Sequence, residues 1–182
     1  MDFILNGKSV QIESEPGEML ADLLRVRLGM TGTKIGCNES ECGSCTVLID
    51  DAPILSCSYP AARVSGREIR TIEGLNQDGK LHPIQEAFIK QGAVQCGFCI
   101  PGQIMTAVSL VEKNPDPNED EIQKASRIRS VAALGILRSS PLFRMAHELY
   151  APANHYKKFL LWKLIPQRRS VISSLVQILG RR

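Results

Sequence analysis

Apolar and polar positions alternate at the start of the chain, at residues 3–5 and again at 9–12, on either side of Asn6-Gly7. That pattern predicts two short strands joined by a two-residue hairpin turn. In GEMLADLLRVRLG the period lengthens. Met19, Leu20, Leu23, Leu24 and Leu28 share one helical face, and Gly29 is placed to cap the end. Residues 46–49 and 69–72 read as further short strands, with Asp50-Asp51 turning the chain between Ile49 and Pro53. A hairpin, a helix and more strands predict a small α+β unit over residues 1–76.

From Leu81 onward the period is helical. Pro83 suits the first turn of a helix that carries Ile84, Ala87 and Phe88. Residues 103–113 place Ile104, Ala107, Val108 and Val111 on one face, and Asn114-Pro115-Asp116-Pro117 stops them. Asn118 followed by Glu121 is a capping box for another helix. His82 reads as a helix-flanking surface residue. Residues 77–125 are thus expected to form a second, helical unit.

Charge divides the chain near residue 125. Residues 1–125 hold eleven basic and eighteen acidic side chains, a net of −7. Residues 126–182 hold eleven basic side chains and one acid, Glu148, a net of +10. The overall +3 conceals that opposition. No apolar run reaches the length of a membrane span, and nothing matches a base-reading nucleic-acid motif. Repeats, a Gly-rich phosphate loop and a Ser/His/Asp set are all missing, so no catalytic residue is expected.

The chemistry lies in six cysteines. Cys37, Cys42 and Cys45 form a C-x4-C-x2-C run, and Cys57 follows in SCSYP. This is the spacing of plant-type 2Fe-2S ferredoxins, in which four thiolates hold two irons. Gly36 and Gly43 let the backbone close round such a group, and loop N–H groups can point at the sulfurs. Zinc ribbons prefer two C-x2-C knuckles, which the four-residue gap suits poorly. Disulfides need an oxidising compartment, and the opening MDFILNG has neither the charged nor the apolar region of a secretory segment, so a cytoplasmic place is expected. Cys96 and Cys99, in QCGFCIPG, read either as half of a second all-cysteine site or as a redox dithiol. The glycine-proline surroundings favour the half site.

GCNESECGSCTVLID, SCSYPA, IRTIEGL and above all QCGFCIPGQIMTA resemble the small iron-sulfur subunit of the molybdenum hydroxylases. This is the family of xanthine dehydrogenase, aldehyde oxidoreductase and aerobic carbon monoxide dehydrogenase, and the resemblance runs from about Phe3 to about Ala125. It implies a ferredoxin-like (β-grasp) domain followed by a helical-bundle domain, each with a 2Fe-2S cluster. By the same resemblance Cys37, Cys42, Cys45 and Cys57 hold the first cluster. Cys96 and Cys99 supply half the ligands of the second, and Gln95 contacts a pterin. The implied role is an electron relay from a large molybdopterin subunit toward an FAD subunit. The competing expectation is a free-standing 2Fe-2S carrier with a dithiol at Cys96 and Cys99. The substrate of such a complex binds elsewhere and is not legible here.

The second site is left incomplete. In the family the last helix runs into Gly-Asn-x-Cys-Arg-Cys-Thr-Gly-Tyr, whose cysteines would fall at positions 131 and 133, where this chain has Val131 and Ala133. Written as TGT CGC TGC ACT GGG TAT and read one base later with a following T, Cys-Arg-Cys-Thr-Gly-Tyr becomes Val-Ala-Ala-Leu-Gly-Ile. Those are residues 131–136. Ser-Lys-Ile-Ile in the same shifted frame can give Leu-Arg-Ser-Ser, residues 137–140. The expectation is therefore an out-of-frame tail over 126–182 and one cluster in the chain as it stands; the competing reading is a natural basic-apolar tail that lies on an acidic membrane surface.

Overall fold

The computed structural model of the chain describes residues 1–76, 79–115 and 117–125. Asn6 and Gly7 take φ values of +50° and +77°, the left-handed pair a tight hairpin turn requires. They join β1 (Asp2–Leu5) to β2 (Lys8–Gln11). The second strand starts one residue before the expected 9–12, because Lys8 pairs directly with Leu5 to close the turn.

A regular helix is expected over GEMLADLLRVRLG, but only α1 (Leu20–Asp22) is regular. It widens into a π turn over Leu23–Arg27, where the Leu28 N–H reaches back to the Leu23 carbonyl at 3.0 Å. The extra residue in the turn re-phases the face. Leu20, Leu23 and Leu24 are buried while Leu28 and Met30 still pack on the core edge. Gly29, at φ +68°, ends the segment as anticipated.

Five strands form one mixed sheet in the order β2-β1-β5-β3-β4. β3 (Thr46–Ile49) is buried at all four positions, which explains its unbroken apolar run. Asp50 and Asp51, both left-handed, turn it into β4 (Ala52–Leu55), a strand the sequence pattern misses because Pro53 interrupts it. Proline is tolerated there because β4 lies on the sheet edge. β5 (Glu68–Arg70) is parallel to β1 and antiparallel to β3. It stops short of the expected residue 72. The Thr71 N–H leaves the ladder for the Asn6 side-chain oxygen at 2.8 Å, and Ile72–Leu75 form a 3-10 turn.

α2 (Pro83–Lys90) begins at His82, whose Nδ1 accepts from the Ile84 N–H at 3.2 Å while Gln85 accepts from the His82 N–H at 2.9 Å. His82 is half-buried, which corrects its reading as a surface residue, and burial holds its pKa below the ordinary histidine value. α3 (Ile100–Lys113) starts three residues earlier than expected because Pro101 fits the first turn. α4 (Glu119–Ala125) carries the anticipated capping box, with Glu121 N–H on Asn118 at 3.0 Å and Asn118 N–H on Glu121 at 2.8 Å. The expected tail over 126–182 lies outside the described residues.

Two apolar clusters hold this together. One gathers Phe3, Leu20, Leu23, Val47 and Ile69 between α1 and the sheet. The other joins Ile84, Phe88, Ile104, Val108 and Ile122 of the helices to Leu48. β3 therefore serves both cores, with Val47 and Ile49 on one face and Leu48 on the other. At the rim of this contact Arg70 of β5 pairs with Asp51 and with Glu112 of α3.

Candidate iron-sulfur centre

Residues 36–45 make a loop that no helix or strand could supply. Asn38, Ser40 and Gly43 all have left-handed φ, at +59°, +61° and +71°. Successive turns of that hand point backbone N–H groups inward, which makes a nest for negative charge. The N–H groups of Glu39, Glu41 and Cys42 all aim at Cys37 Sγ, at 3.4, 3.4 and 3.3 Å. The Cys37 N–H in turn reaches Cys42 Sγ at 3.4 Å, and the Ser44 hydroxyl lies 3.5 Å from the same sulfur. These backbone donors hold the Cys37 thiol down to about 7.

Cys45 and Cys57 have the opposite surroundings. Cys45 precedes β3 and Cys57 lies in the 3-10 turn Ser56–Ser58 after β4, so the β3–β4 hairpin sets them side by side. Both are buried, in a cluster with Ala21. Burial, more than any neighbour, pushes the Cys45 thiol up to about 11, and the adjacent Cys57 and Cys42 thiols add to it.

The four cysteines thus form a half-buried pair, Cys37 and Cys42, and a buried pair, Cys45 and Cys57. Among the described residues no three His, Cys, Asp or Glu side chains converge on one point that could hold a single metal ion. Two pairs of thiolates suit a binuclear group, in which each iron takes two protein ligands. A Cβ on Gly36 would stand 2.8 Å from Cys42 Sγ, so glycine is required for the loop to close that tightly. Donor set, inward N–H groups and bare cradle all fit a 2Fe-2S cluster. A coordinating iron would offset the burial that raises the Cys45 thiol.

Cys96 and Cys99 do not complete a comparable site. Cys96 is exposed and Cys99 half-buried at the start of α3. The chain has no seventh cysteine, so two thiols face what would need four protein ligands. Gln95, the residue with the implied pterin contact, is exposed beside them. Gln103, which the sequence pattern does not single out, is fully buried, and its amide nitrogen lies 2.8 Å from Cys99 Sγ. Its Oε1 is buried without a partner. The signal available in the sequence was its place one helical turn after Cys99. The two cysteine regions also meet. The bare Cα of Gly102 sits on the Gly43–Ser44 backbone, and a Cβ there would run into the Gly43 carbonyl oxygen.

Comparison with known proteins agrees with this reading. Residues 3–70 match the family described as the 2Fe-2S iron-sulfur cluster binding domain, and residues 71–129 match the 2Fe-2S binding domain. The chain is 42% identical over 144 residues to the nicotinate dehydrogenase small FeS subunit of Eubacterium barkeri, which covers 79% of this chain and 92% of that one. It is 49% identical over 109 residues to the xanthine dehydrogenase iron-sulfur-binding subunit of Escherichia coli O157:H7, covering 60% and 68%. Among solved structures, quinoline 2-oxidoreductase from Pseudomonas putida 86 superposes with a TM-score of 0.71 at 38% identity, over 81% of this chain and 95% of that chain.

Proposed function

We propose that this chain, which belongs to the small iron-sulfur subunits of the molybdenum hydroxylases, carries the first-cluster half of an electron relay from a large molybdopterin subunit toward an FAD subunit, the second-cluster half being incomplete in the chain as it stands. The observation that carries the reading is the convergence of three backbone N–H groups on Cys37 Sγ, opposite a buried Cys45–Cys57 pair. When bound, a 2Fe-2S cluster supplies one-electron chemistry. Cys37, Cys42, Cys45 and Cys57 would hold it, and the loop N–H groups would offset negative charge on the half-buried Cys37 and Cys42 sulfurs.

Residues 1–76 are read as the ferredoxin-like, β-grasp domain and 77–125 as part of a helical-bundle domain. Gln95 is read as the pterin contact, and Cys96 and Cys99 as half of the second cluster site. Residues 126–182 are read as an out-of-frame product. A cytoplasmic place is part of the proposal, supported by six cysteines that are all free thiols. Among the described residues no helix is long and apolar enough to cross a membrane.

The test is elemental and genetic. The purified chain should carry two irons and two acid-labile sulfides on the first site, and replacing any of its four cysteines by serine should lose or weaken that content. Stoichiometric zinc without sulfide would sink the assignment. Co-purification with a large molybdopterin subunit separates the relay from a free-standing carrier, which would run alone.

A further inference from the structure

Phe98 is a large aromatic side chain left 46% exposed, and it belongs to neither apolar core. Core packing therefore does not account for it. It is carried on the loop between Cys96 and Cys99, yet its ring reaches the other cysteine loop. Phe98 Cε1 lies 3.8 Å from where a Cβ of Gly36 would stand, and that same point is 2.8 Å from Cys42 Sγ. The ring thus lies over the bare backbone that closes against the Cys42 sulfur. A backbone contact also joins the two loops: Gly102 at the start of α3 is seated on Gly43 and Ser44.

We propose that Phe98 is a positioning residue for the first cysteine site, shielding its Cys42 side from water. The apolar shell round a metal group governs solvent access and, through it, reduction potential. A four-thiolate 2Fe-2S cluster gains one negative charge on reduction, and water favours the more highly charged form. Removing the ring therefore raises the potential and opens the sulfurs to oxidants. The inference rests on the 2Fe-2S reading of Cys37, Cys42, Cys45 and Cys57.

The experiment uses the full chain, with its cluster reconstituted, as wild type, Phe98→Ala and Phe98→Tyr. Iron and sulfide content should be equal in all three, since the ring lies outside both cores. Phe98→Ala should raise the reduced-to-oxidised ratio at a fixed potential by up to about tenfold, equivalent to about +59 mV for a one-electron couple. Its visible absorbance should also bleach in air several times faster. Phe98→Tyr, which keeps the ring, should match wild type in both. Equal potentials and equal bleaching rates across the three proteins would overturn the proposal and leave Phe98 as a contact for a partner chain. A wild-type chain that takes up no cluster overturns this inference together with the reading beneath it; a cluster present but indifferent to the ring overturns this inference alone.

Discussion

Cys37 and Cys45 are the same residue type in one loop, yet their surroundings push them in opposite directions. Three inward N–H groups hold Cys37 down to about 7, and burial lifts Cys45 to about 11. Only the thiolate reacts with an alkylating agent. In metal-free protein near neutral pH, Cys37 is about half ionised while Cys45 stays protonated. Iodoacetamide should therefore modify Cys37 at least about tenfold faster than Cys45. The two pKa values also set the sign of the pH dependence. Above about 7 the Cys37 rate levels off while the Cys45 rate keeps climbing toward about 11, so their ratio falls as pH rises. Peptide-resolved mass spectrometry reads both rates, and a Cys45 that reacts first near neutral pH would show the assigned surroundings to be wrong.

At the scale of elements, the placement of α3 decides how the cysteine loops meet. Its Gly102 touches the Gly43 carbonyl so closely that any side chain must move the helix or the loop. Gly102→Ala should destabilise the fold by about 1–3 kcal/mol, the usual cost of forcing extra volume into a packed contact. The urea midpoint should fall accordingly, and a variant as stable as wild type would mean the contact yields without cost. This contact was not legible in the sequence, where Gly102 is one glycine in a glycine-proline stretch. What was legible were the features set by neighbours in the chain. The Asn6-Gly7 turn, the Asn118–Glu121 capping box and the buried face of α3 depend on local φ and on residues three or four apart. Two of the misses depend on partners outside the segment itself. β4 exists because β3 offers it an edge despite Pro53, and β5 ends where Asn6 captures the Thr71 N–H. The candidate cysteine loop over residues 37–45 was readable for the local reason, since it turns on spacing and on residues that tolerate left-handed φ. Phe98 was not, because what it touches is set by how α3 seats, whereas the Gln103 contact with Cys99 spans a single helical turn and was missed only because the residue type drew no attention.

For the whole molecule the open quantity is the number of clusters one chain can hold. The first site offers four cysteines in two pairs, whereas the second offers Cys96 and Cys99 and the chain has no further cysteine. His147 and His155 are the remaining imidazoles besides His82, which is committed to capping α2. His147 and His155 lie beyond the described residues, in the stretch read as out of frame, and only some 2Fe-2S centres accept histidine. Two thiolates, too few to hold a cluster, leave a dithiol open to oxidation, and the helical part loses a metal that would otherwise add binding energy to its folding. The full chain should therefore bind two irons and two sulfides, give a single 2Fe-2S EPR signal on reduction, and accept no electrons from a molybdopterin partner. If the reading frame is shifted near codon 126, the other frame encodes a Cys-Arg-Cys-Thr-Gly-Tyr-like stretch. The chain translated through it should then gain a second EPR signal, two more irons and the relay together. Two distinct 2Fe-2S signals from the chain as it stands would defeat the prediction, because they would require ligands that Cys96 and Cys99 alone cannot supply.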